Sequence, residues 1–213
     1  DAEVQQARLA AGDKPVLDEA QKLWLTMLEP PEACRPVLEA LIRDNRVTAD
    51  DVWTRARRQF EANRTGNARN TLGALPASQT PDAKALDLVI SSPMGYLARQ
   101  PGNWQTTRAG RELAALAIQR IAANDPRAAA NELEKLQGRM QESERQWAWS
   151  QIGLQAAKKH YPEAVAWFAQ AGSAPLSDEG YQWKVRAALR AHDWRMVLAT
   201  ISEMPPLLAA QPV

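Results

Sequence analysis

Apolar residues recur along the chain at the three- and four-residue interval of an amphipathic helix. They fall in separated sets: Leu17, Ala20, Trp24 and Met27; Val52, Ala56 and Phe60; Leu113, Leu116, Ala117 and Ile121; Trp194, Val197, Leu198 and Ile201. Each set predicts one buried helix face. Short polar residues mark helix starts, because such a side chain takes up an amide that the first turn leaves free. Thr48 followed by Asp51, Thr80 before Pro81, Asp125 before Pro126, and Ser177 before Asp178 and Glu179 occupy these places. Gly12, Gly66, Gly138 and Gly172 are the expected stops. From cap to stop, the pattern predicts about a dozen helices of roughly 9 to 18 residues joined by short turns. The least regular stretch runs from Leu75 to Trp104, where prolines and polar residues interrupt the periodicity, and a bend is expected there.

Composition strengthens the helical reading. The 39 Ala against 10 Val and 6 Ile favour helix and starve a sheet of β-branched residues. The expected fold class is all-α. Short connections make successive helices antiparallel neighbours, and with no heptad repeat the series reads as an α-solenoid rather than a four-helix bundle. Residues 1–213 are expected to form a segment of one superhelical, U-shaped helical-repeat domain. No strict repeat is visible. The stretch Pro162 to Ala171, with Ala164, Trp167, Phe168 and Ala171, resembles one half of a helical repeat, but the full tetratricopeptide pattern is absent.

Charge and reactive residues narrow the function. With 26 basic and 25 acidic side chains, the net charge of +1 offers no global field to gather nucleic acid or an anionic membrane. No apolar stretch approaches the roughly 18 residues that a membrane span needs. One cysteine, Cys34, makes no internal disulfide, and with only His160 and His192 beside it a four-ligand zinc site is out of reach without carboxylates. Neither a metal nor a cofactor is expected. No secretory signal is visible from Asp1-Ala2-Glu3-Val4 onward, so a leader is expected to lie upstream or to have been removed. A Gly-rich phosphate loop, a His-Glu-x-x-His motif and a Gly-x-Ser-x-Gly elbow are all missing from the sequence.

The remaining candidates have structural readings beside their chemical ones. Trp24, Trp53, Trp167 and Trp194 lie on apolar stripes and are expected in the core, although tryptophan also suits stacking on sugars or bases. Trp104 follows Pro101-Gly102-Asn103 in a loop-like segment, where an exposed ring could bind a ligand; local packing is the favoured expectation. His160 ends one helix and His192 precedes another, where a cation is welcome without any catalytic role. Arg55, Arg57 and Arg58, with Arg64 and Arg69, could form a basic patch, but Asp50, Asp51 and Glu61 nearby favour a solvated helix face.

One ordered set of residues resembles a known family. Ala20-Gln21-Lys22-Leu23-Trp24-Leu25-Thr26 is followed by Pro31-Glu32-Ala33-Cys34, then by Val47-Thr48-Ala49-Asp50-Asp51-Val52-Trp53 and Arg55. Trp183-Lys184-Val185-Arg186-Ala187-Ala188-Leu189-Arg190, Asp193-Trp194 and Met204-Pro205 follow later. In order and spacing these resemble the soluble lytic murein transglycosylases of Gram-negative bacteria. The resemblance implies a superhelical domain, a small linker domain and a C-terminal lysozyme-like catalytic domain; this chain is similar to a middle-to-late part of the first.

The family's catalytic glutamate begins a Glu-Ser pair followed by Gly-Ala-x-Gly-Leu-Met-Gln. Here Glu142-Ser143 runs into Glu144-Arg145-Gln146-Trp147-Ala148-Trp149, so Glu142 is expected to be a first-turn carboxylate, and no catalytic residue is assigned. The resemblance implies that the parent cleaves the β-1,4 bond between N-acetylmuramic acid and N-acetylglucosamine to a 1,6-anhydro product. It also implies that this segment helps frame or position the glycan strand and the catalytic domain in the periplasm. The implied partners are peptidoglycan strands, engaged through the parent enzyme, and the catalytic domain; self-association is a further expectation, since a solenoid cut from its neighbours bares apolar faces. Family members often pair the cysteine at the position of Cys34 with one upstream, which here falls at or just before the start of the chain. The alternative reading is a tetratricopeptide-like scaffold that holds a peptide or protein partner.

Overall fold

A computed structural model describes residues 15–29 and 35–210. Gly12 and Cys34 lie outside the described residues. The chain divides into two compact units, Asp1–Thr80 and Pro81–Val213, and the division falls inside the irregular 75–104 stretch. Among the described residues the secondary structure is helical, with no strand.

In the first unit, helix α1 (Pro15–Thr26) packs on α2 (Arg35–Arg43) and α3 (Ala49–Glu61), and α3 packs on α4 (Thr65–Leu72). Thr48 caps α3 as expected. Its hydroxyl accepts the Asp51 amide, and the Asp51 carboxylate accepts the Thr48 amide, so two otherwise free donors are satisfied reciprocally. Val52, Ala56 and Phe60 form the buried stripe, with Trp53 buried beside them and Trp24 buried from α1.

The second unit opens with α5 (Ala83–Ser91) and α6 (Pro93–Arg99), so the irregular stretch is more helical than its prolines suggest. The cap for α5 is Asp82, whose carboxylate accepts the Ala85 amide at 2.8 Å. Thr80, the expected cap, instead turns its hydroxyl back to the carbonyls of Leu75 and Pro76. Pro93 does not break the series because it sits at the first position of α6, where its missing amide costs nothing.

Helices α7 (Arg108–Asn124), α8 (Pro126–Leu136), α9 (Glu142–Lys158), α10 (Ala164–Gln170), α11 (Asp178–Arg190) and α12 (Trp194–Glu203) follow, and a short α13 (Pro206–Ala209) closes the series. From α7 to α12 each packs on its sequence neighbour, while α9 also reaches back to α7 and forward to α11. This layer-on-layer stacking is that of a helical solenoid. Its central members are buried almost all round: every residue from Glu112 to Gln119 in α7 and from Trp147 to Leu154 in α9 is buried. Small Ala and Gly positions let neighbours approach on several sides. At Gly153 an added Cβ would lie 2.9 Å from the Phe168 ring of α10.

Four helix ends share one turn geometry that the sequence conceals. Asn45, Asn63, His160 and His192 end α2, α3, α9 and α11 in the left-handed region, with φ of 53°, 57°, 62° and 56°. In each case the amide of that residue bonds three residues back and the next amide five back. At His160 these bonds run to Ala157 and Ala156, and at His192 the corresponding Asp193 amide reaches Ala188. This is one recurring helix stop, normally the place of glycine. Gly172 (φ 56°) also follows the pattern of a helix stop, after α10, but Gly66 lies inside α4, where Asn63 has already ended the preceding helix.

Candidate functional site

The best-defined polar assembly joins α7, α9 and the turn before α7. Gln141 and Glu144 form a capping box at the start of α9, the Gln141 amide donating to Glu144 Oε2 at 2.8 Å. Glu144 Oε1 accepts from Arg111 Nε of α7 at 2.9 Å, with the two side chains only 2% and 11% exposed. Arg111 also donates through Nη1 to the Gln105 carbonyl, fixing the turn that carries Trp104.

Trp104 is buried rather than presented to solvent. Its ring lies under the Arg139 guanidinium, 5.2 Å from the centroid, and Arg139 donates to the Gly102 carbonyl and the Gln105 side chain. The loop is thereby held as packing, in line with the favoured expectation. The apolar periodicity singles out neither Arg111 nor Glu144; the Gln-x-x-Glu spacing of the cap is the available sequence signal for Glu144.

Glu142 stands apart from this assembly. It is exposed in the first turn of α9, where it accepts from Gln146 Nε2 at 2.9 Å and sits at the favourable end of the helix dipole. Among the described residues, no cluster of three or more His, Cys, Asp or Glu could hold a metal ion.

The histidines serve as helix stops with aromatic neighbours. His160 lies 6.0 Å from the Trp183 ring of α11, and His192 lies 6.4 Å from Trp194. Around His160 a cationic and aromatic surface gathers: Arg127 at the start of α8 covers the Tyr161 ring at 4.5 Å and pairs with Glu163 at 2.8 Å, while Arg186 sits over Trp183 at 5.1 Å. The hydrogen bond from Arg127 holds the Glu163 carboxyl below its ordinary range and raises the guanidinium correspondingly.

The solvated helix face expected for Arg55, Arg57 and Arg58 does not include Arg55. Arg55 is 2% exposed, not solvated; it donates to the Trp24 carbonyl and covers the Trp24 ring at 4.5 Å. Burial draws its guanidinium down to about 10. The last carbonyls of α1 supply the compensating negative end, and Gln59, one turn further along α3, donates to the Leu28 carbonyl at 3.0 Å. Arg64 pairs with Glu29 at 3.0 Å. A second correction concerns Trp194: among the expected core tryptophans, Trp24 and Trp53 are buried and Trp167 is half-buried against the α9–α10 core, but Trp194 is 60% exposed. The side of α12 turned to α11 carries Val197 and Thr200 instead.

No protein-family model matches the sequence, and no curated protein matches it. Solved structures do. The lytic transglycosylase Slt of Pseudomonas aeruginosa, crystallised as an inactive mutant, is similar over 99% of this chain, with a TM-score of 0.65 and 24% identity. A 70-kDa soluble lytic transglycosylase in complex with bulgecin A matches over 99% of this chain with a TM-score of 0.54 and 21% identity. The 70-kDa soluble lytic transglycosylase of Escherichia coli gives 99%, 0.54 and 22%. In each case this chain spans only 34% of the matched chain. The chain therefore has the all-α, superhelical fold of one segment of these larger proteins.

Proposed function

We propose that the chain is a non-catalytic helical segment of a lytic transglycosylase acting on peptidoglycan in the periplasm, and that it frames the path of a glycan strand toward a catalytic domain. The likeness of nearly the whole chain to about a third of the chain in three solved structures of such enzymes carries the reading. The placement of Glu142 supports the division of labour. A transglycosylase of this kind needs one carboxyl group that first protonates the leaving glycosidic oxygen and then accepts the proton of the attacking muramyl 6-hydroxyl. Such a group needs burial to keep its proton near neutrality, and Glu142 is open to water. The segment's contribution is then mechanical: α7 and α9, buried on nearly all sides and tied by Arg111 and Glu144, form a stiff frame.

The test is release of anhydromuropeptides from purified murein sacculi, followed by chromatography. The chain alone is expected to release none, and Glu142→Gln is expected to change nothing. Added to a separately expressed catalytic domain, the chain is expected to alter the rate or product pattern. Release by the chain alone would refute the non-catalytic reading. No effect in either arm, with no retention on sacculi, would favour a peptide-binding scaffold.

A further inference from the structure

We draw no further inference here: the strongest candidate, the cationic and aromatic surface that α8, the α9–α10 turn and α11 gather around His160, has its arginines engaged within the chain, Arg127 on Glu163 and Tyr161 and Arg186 on Trp183, and nothing else in the structure points to a ligand there.

Discussion

Arg111 Nε and Glu144 Oε1 lie 2.9 Å apart between α7 and α9, and they are the most deeply buried of the ion pairs whose geometry is described. Both side chains also bond elsewhere, Arg111 to the Gln105 carbonyl and Glu144 to the first amide of the α9 cap. The pair therefore couples a helix–helix contact, a helix start and the turn carrying Trp104. Removing one member leaves the other charge buried. Glu144→Gln is expected to cost about 3 to 5 kcal/mol, read by urea unfolding, whereas Glu142→Gln on the open surface stays within about 0.5 kcal/mol. A double-mutant cycle with Arg111→Ala and Glu144→Ala is expected to give a coupling of at least about 1 kcal/mol; additivity would mean the pair is incidental.

The α9–α10 contact is set by the absence of a side chain. An alanine at 153 would gain up to about 1 kcal/mol of helix propensity. The added Cβ would stand 2.9 Å from the Phe168 ring, which is itself fully buried, so overpacking costs about 1 to 3 kcal/mol. Gly153→Ala is accordingly expected to be net destabilising by about 1 kcal/mol. A stabilised variant in thermal unfolding would show that α10 can shift away.

The fold class is legible in the sequence because burial by stacked helices leaves a plain periodic trace: Val52, Ala56 and Phe60 are all core residues, and Thr48 caps where its spacing to Asp51 places it. The same periodicity misplaces Trp194, since an apolar stripe records that a face avoids water somewhere, not which neighbour covers it. Arg55 reads as solvated because its sequence proximity to acids is visible, while the α1 carbonyl that holds it, 31 residues away, is not. The shared helix stop is hidden because its signature is a left-handed backbone that Asn45, Asn63, His160 and His192 supply interchangeably.

That shared turn leads to a test on the histidines. A non-glycine residue in the left-handed region is strained, on the order of 1 kcal/mol. His192 is exposed and its ring meets Trp194, so His192→Gly is expected to raise stability by about 0.5 to 1 kcal/mol. His160 is more engaged, with Nδ1 3.2 Å from the Ala157 carbonyl and its ring beside Trp183, so His160→Gly is expected to gain less. Equal gains at both sites would mean that the His160 contacts contribute nothing.

Alkaline pH acts with opposite sign on two buried groups among the described residues, Arg55 in the first unit and Tyr96 in the second. Tyr96 on α6 is buried, and burial pushes its phenol up to about 12 from an ordinary value near 10. The folded state thus holds its proton more tightly than the unfolded state. This contribution, on the order of 2 to 3 kcal/mol, is fully present below pH 10 and is lost as pH rises through 12. Arg55 in the first unit is drawn down to about 10, so there the unfolded chain holds the proton more tightly, and the cost of burying the charge is relieved as pH climbs above 10. The difference in phenolate absorbance between the native chain and Tyr96→Phe is expected to show a midpoint near 12, and Tyr96→Phe is expected to flatten the fall in second-unit stability between pH 10 and 12. A midpoint near 10 in the folded protein would mean that the Tyr96 hydroxyl reaches water.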